Sequence, residues 1–161
     1  MKRSYRLAQL VFVLFLFLGS SWSAFAAPPT KGPLVLAGTN LEVWGSYKIR
    51  QVLFPREEWE FFVIVVPKSV RQGTLIRIAK AFYEKYPNTR VRFFSDKRHI
   101  QQYIDRDRYI NYSTGRLREV DFPDDEWVQN HLLGNINNRS KTFNRHWMLE
   151  DRYGSNISLL P

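Results

Sequence analysis

The chain contains no cysteine. That absence excludes thiol nucleophiles, thiolate metal sites, disulfides and a lipid-modified cysteine anchor. The three histidines form no H-x-x-x-H or H-E-x-x-H pair, so no metal-binding helix face is written in the sequence. There is no G-x-S-x-G elbow, no phosphate-binding P-loop and no G-x-G-x-x-G turn. No spacing places a Ser/His/Asp triad, and a zinc site from His99, His131 or His146 would need tertiary convergence. Neither a cofactor nor a metal is expected. Beyond the N-terminus there is no long apolar run, and Phe61–Val66 is far too short to span a bilayer.

The N-terminus is organised differently from the rest. Lys2, Arg3 and Arg6 precede an apolar run from Leu7 to Leu18, followed by Gly19, Ser20, Ser21 and the small-x-small triplet Ala24-Phe25-Ala26. This is the layout of a secretory signal peptide over residues 1–26, cleaved near Ala26. An uncleaved anchor is the other reading, since Leu7 to Ala27 would just span. Cleavage leaves an exported chain, periplasmic or extracellular, with no transmembrane span. Of the formal net charge of +9, three cations belong to the signal segment. The remainder is still basic and favours acidic partners such as anionic lipid headgroups, cell-wall polymers or nucleic acid. Export argues against nucleic acid.

APPTKGPLVLAGTN, Ala27 to Asn40, is rich in proline and glycine and lacks periodicity, so residues 27–43 are expected to be a linker or loose arm. A single domain is expected over residues 44–161. Tyr47–Phe54 alternates as an amphipathic strand, and Trp59–Val66 reads as a central strand buried on both faces. Pro67 ends it, and Ser69 is placed to cap a helix from about Arg71 to Tyr86, whose apolar face is Leu75, Ile78, Ala79, Phe82 and Tyr86. Arg90–Phe94 is a strand, so the unit predicts a parallel pair. A second helix is expected from Ser95 or Asp96, then a polar loop from Asn111 to Val120, a short helix near Asp124–Trp127, and three strands in LLGNINN, RHWMLED and NISLL. The predicted fold class is α+β: a mixed sheet of about five to six strands containing one βαβ unit, with helices packed mainly on one face.

IVVPKSVRQGTLIRIAKAFYEKYPNTRVRFFSD, with QQYIDRDRYINY, EWVQNHLLGNIN and RHWMLED, resembles a pattern of uncharacterised bacterial exported small-domain proteins. The resemblance covers about Tyr47 to Leu160. It implies an exported small domain and carries no activity, cofactor or site residue.

Candidate chemistry centres on Arg92–Tyr112. Asp96 follows a strand expected to run parallel to its neighbour, where ligand sites of such sheets lie. It is also well placed as a helix N-cap. A helical segment turning about 100° per residue would align Asp96, His99, Tyr103 and Asp107 and point Asp105 away. Arg90, Arg92, Lys97 and Arg98 form a possible polyanion contact. The leading expectation is a non-enzymatic binding module of the cell envelope or extracellular space, its partner another exported protein or an envelope component. The alternatives are a small secreted hydrolase using Asp96, His99 and Asp107, and a basic binder of polyanions or anionic membrane surfaces.

Overall fold

The computed structural model describes residues 27–51, 58–106, 108–111, 116–119, 125–141 and 144–159. The expected α+β fold of five to six strands is corrected. The described residues form a nine-stranded mixed sheet with three short helices. The strands are β1 (Gly32–Leu36), β2 (Thr39–Gln51), β3 (Glu58–Val65), β4 (Arg90–Phe94), β5 (Arg108–Asn111), β6 (Arg116–Glu119), β7 (Leu132–Lys141), β8 (Asn144–Asp151) and β9 (Asn156–Ser158). The helices are α1 (Gln72–Lys85), α2 (Ile100–Asp105) and α3 (Asp125–His131). The strand order is β6-β5-β2-β3-β4-β7-β8-β9, with β1 pairing β2.

Two readings account for much of the missing sheet. The stretch expected to be a linker holds β1 and the start of β2. Its Ala37-Gly38 turn has φ of 48° and 71°, the pair of positive angles that a two-residue hairpin needs. Leu34 and Leu36 are buried while Val35 is exposed, which is the alternation of a half-covered strand. Pro33 is tolerated because β1 has β2 on one side alone among the described strands. The second reading is the long helix after Ser95. Helix α2 runs only from Ile100 to Asp105, and the chain returns to the sheet as β5 and β6.

β3 is rich in aromatic and β-branched residues because it is covered on both sides. Phe61 and Val63 face one layer, Ile64 and Val66 the other. The helices accordingly lie on both faces rather than mainly on one. Helix α1 buries Leu75, Ile78, Ala79 and Phe82 against one face. Its N-cap is Arg71, with no side-chain cap, so Ser69 does not serve that role. On the opposite face Ile100, Tyr103 and Trp127 from α2 and α3 pack with Tyr47, Phe61 and Phe94. Burying each such side chain contributes about 1.5–3 kcal/mol.

β4 is the hinge of the arrangement. It runs parallel to β3, to which α1 connects it, and antiparallel to β7. Two irregularities rotate side chains between faces. Gly45, at φ 148°, accompanies a register shift in β2, so Leu41 and Val43 face the α1 side but Tyr47 and Ile49 the other. In β7 the shift lies at Leu133, between Leu132 opposite Phe94 and Gly134 opposite Phe93. A Cβ on Gly134 would lie 2.8 Å from the backbone oxygen of Glu150. Gly134→Ala is therefore expected to lower stability by roughly 1–3 kcal/mol, read from the urea midpoint. Gly73→Ala, which meets open space in α1, is expected to leave stability unchanged or raise it by up to about 1 kcal/mol.

Candidate functional site

A cleft of about 730 Å³ opens at the carboxyl ends of β3 and β4. Val65 to Lys68 form one wall, Ser95 to Arg98 a second, and Asn40, Leu41 and Glu42 of β2 a third. Both strands of this parallel pair end here, the end at which open parallel α/β sheets place their ligands. Pro67 stops β3 and exposes Lys68, and Ser95 turns the chain out of β4.

Asp96 is buried, with 6% of its surface exposed. Its Oδ1 accepts the backbone N–H of Arg98 at 2.8 Å, closing a tight Asx turn. Its Oδ2 accepts Arg98 Nε at 2.8 Å and lies 2.8 Å from a second guanidinium nitrogen. The expected helix cap is thus not formed, because α2 begins four residues later with His99 at its N-cap position. The Arg98 side-chain hydrogen bond, opposed by burial and aided by the Arg98 backbone bond and charge, holds the Asp96 carboxyl at about 2. A carboxylate so committed is a poor general base at neutral pH.

Asp96 also faces a histidine that the sequence did not connect to it. His131 Nε2 lies 3.8 Å from Asp96 Oδ2. On the other side of the ring, His131 Nδ1 is 3.2 Å from Ser95 Oγ. Ser95 N–H donates to the His131 carbonyl at 2.9 Å, which extends the β4–β7 pairing by one rung and fixes the two residues together. Trp127 supports the imidazole, 5.6 Å away, and is itself stacked on Phe94 at 5.2 Å.

The other expected site residues are dispersed. His99 Nδ1 is 3.0 Å from Gln102 Oε1 within its own helix, and its ring meets Trp127 edge-on at 5.6 Å. Asp107 lies outside the described residues. Asp105 accepts from Gln101 on the exposed side of α2. The four cations expected as one contact divide into two pairs. Lys97 and Arg98 rim the cleft. Arg90 and Arg92 lie on the sheet face among aromatic rings. The Arg90 guanidinium is 5.1 Å from the Trp59 ring, and Arg92 is 5.5 Å from Phe61. Burial disfavours the Arg92 charge, but Tyr47, Tyr103 and Glu150 more than offset this, so its pKa is raised. Arg92 donates to the Tyr103 hydroxyl and so ties α2 to β4.

Ser95, His131 and Lys68 were missed as site residues. Ser95 and His131 are separated by 36 positions, and only the antiparallel β4–β7 pairing joins them. The sequence contains no hairpin turn that would announce that pairing. A second cavity, of about 300 Å³, lies at the start of α1 and is lined in part by Asp151. That carboxylate is taken up by the Tyr153 and Ser155 N–H groups and by Gln72, a turn-forming role.

Among the described residues no group of three His, Asp or Glu side chains converges to hold a metal ion. No described helix is long and apolar enough to cross a membrane. Comparisons with protein-family models, curated proteins and solved structures found no match. Function is therefore read from the chemistry of the cleft.

The Asp96 interaction has a measurable signature. Its folded pKa lies below the ordinary 3.8, so the unfolded chain binds this proton more tightly. The stabilisation is complete above about pH 4 and is lost as pH falls towards about 2. Arg98 is 69% exposed, so screening reduces the contribution to roughly 1–2 kcal/mol. Urea unfolding from pH 7 to pH 2.5 should show this loss in the parent and a flatter profile in Asp96→Asn.

Proposed function

We propose that this chain is an exported binding module that recognises a compact anionic group of an envelope component in the cleft between β3 and β4. One observation carries the reading. The cleft presents Lys68, Lys97 and Arg98 against the carboxylates of Glu42 and Asp96, and Asp96 is already neutralised by Arg98. Lys97 makes a long contact, 3.8 Å, with Glu42 and lies 5.8 Å from the Trp44 ring, and its side chain is 62% exposed. An incoming carboxylate or phosphate would meet two exposed ammonium groups beside a fixed guanidinium, at a site large enough for a small ligand. The signal-like N-terminus and the resemblance to exported small-domain proteins support the location.

The division of the basic residues favours this cleft over an extended polyanion or membrane surface. Arg90 and Arg92 are engaged with rings and neighbouring side chains. They are poorly placed to continue a track from Lys97 and Arg98.

Binding is tested by amide NMR titration of the chain with succinate and with inorganic phosphate. Shifts should concentrate at Val66–Lys68 and Ser95–Arg98 and diminish with salt. The double variant Lys68→Ala, Lys97→Ala should weaken binding about tenfold or more, since a charge-assisted hydrogen bond is worth about 1.5–3 kcal/mol. Shifts elsewhere, or an unchanged affinity in the double variant, would overturn the reading.

A further inference from the structure

We propose that Ser95 is an acyl-accepting nucleophile, with His131 as its general base and Asp96 as the positioning residue, acting on esters that carry a carboxylate. The inference rests on the binding reading for its substrate class, and goes beyond it by making the cleft catalytic.

The geometry supplies each role from a different constraint. Ser95 lines the cleft, and its Oγ has two acceptors on His131, Nδ1 at 3.2 Å and the carbonyl oxygen at 3.5 Å. His131 stands behind it, with Nδ1 3.2 Å from Ser95 Oγ, within the loose hydrogen-bond reach usual for an unliganded nucleophile and base. The opposite ring nitrogen lies 3.8 Å from the Asp96 carboxylate, close enough for its charge to act but beyond a direct hydrogen bond. An ionised Asp96 favours the tautomer with its proton on Nε2, which leaves the Nδ1 lone pair directed at Ser95. The same charge stabilises the imidazolium that forms when the base takes a proton. The ring nitrogens are used in the order opposite to that of the familiar serine-protease arrangement, with the same division of labour.

The reaction balances without any further reagent than water. Ser95 Oγ attacks the ester carbonyl carbon and its proton passes to His131 Nδ1. The carbon–oxygen bond to the leaving group breaks, and the proton goes to the departing alkoxide. Water then attacks the acyl-Ser95 ester through the same proton path, releasing the acid and restoring the hydroxyl. Lys68 and Lys97, on the cleft wall and rim, hold the carboxylate of the acyl group. The site selects for an anionic ester over a neutral one.

The experiment uses the chain with two probes, a fluorophosphonate and mono-p-nitrophenyl succinate, with p-nitrophenyl acetate as the neutral comparison. The fluorophosphonate should leave one adduct, mapped to Ser95 by mass spectrometry and absent in Ser95→Ala. The succinate ester should turn over about tenfold faster than the acetate, and Lys68→Ala with Lys97→Ala should remove that preference. His131→Gln should slow acylation by about 100-fold or more, the usual scale of general-base loss. Asp96→Asn should lower kcat for the neutral acetate ester as well as for the succinate ester, and Asp96→Glu should recover part of it, a rescue that a merely structural role in the Asx turn would not show. Circular dichroism checks that each variant is folded. No adduct on Ser95 in folded protein, or equal turnover by Ser95→Ala, would overturn the catalytic inference. If succinate still shifts the cleft amides in that case, the binding reading stands; if labelling occurs but the two esters react equally, catalysis stands and the anionic specificity falls.

Discussion

The hydrogen bond from the Ser95 N–H to the His131 carbonyl is the constraint on which the candidate site depends. It extends the β4–β7 ladder just past the end of β4, where the chain turns outward. On one side of it, Ser95 and Asp96 face the cleft left by the end of β3. On the other, the last turn of α3 delivers the imidazole. The rung holds because both strands are anchored in apolar layers, β4 through Phe93 on one face and Phe94 on the other, and β7 through Ile136. A shift of register by one residue would exchange those faces and separate Ser95 from His131.

The same logic explains the two arginines of β4. Arg90 and Arg92 alternate with Val91 and Phe93, so a strand buried on one side by apolar residues must turn them to the other. There they meet the aromatic layer instead of water. Arg92 is accommodated by the Tyr103 hydroxyl and the rings of Tyr47 and Phe61. A half-buried cation held by these partners fixes the position of α2 over the sheet. Tyr103 is thus a structural residue, although in the sequence it stands among the charges that look most like chemistry.

Much of the local structure was legible. Trp59–Val66 and the face of α1 are written in hydrophobic periodicity, because burial by a neighbour is a demand each residue meets on its own. The first arm was not legible, since proline and glycine mark a hairpin edge as readily as a linker. The β1–β2 ladder, the Ala37-Gly38 turn and the burial of Leu34 and Leu36 distinguish the two. Asp96, His99 and Tyr103 fit helical spacing, yet the helix after Ser95 begins only at Ile100. The Asx turn at Asp96 competes with helix formation by offering Arg98 N–H a side-chain acceptor.

By itself the sequence determined the absence of thiol chemistry, the apolar faces of β3 and α1, and the location of a carboxylate just beyond a strand end. These follow from residue identity and short-range period. Tertiary structure alone decided that this carboxylate meets His131, while its pairing with Arg98 is a local turn. Asp96 is joined to Arg98, two residues away, and to His131, thirty-five residues on by numbering, rather than to His99. The reason is that hydrogen-bonded strand pairing acts between segments remote in the chain, and its register is set by the packing of both faces of the sheet at once.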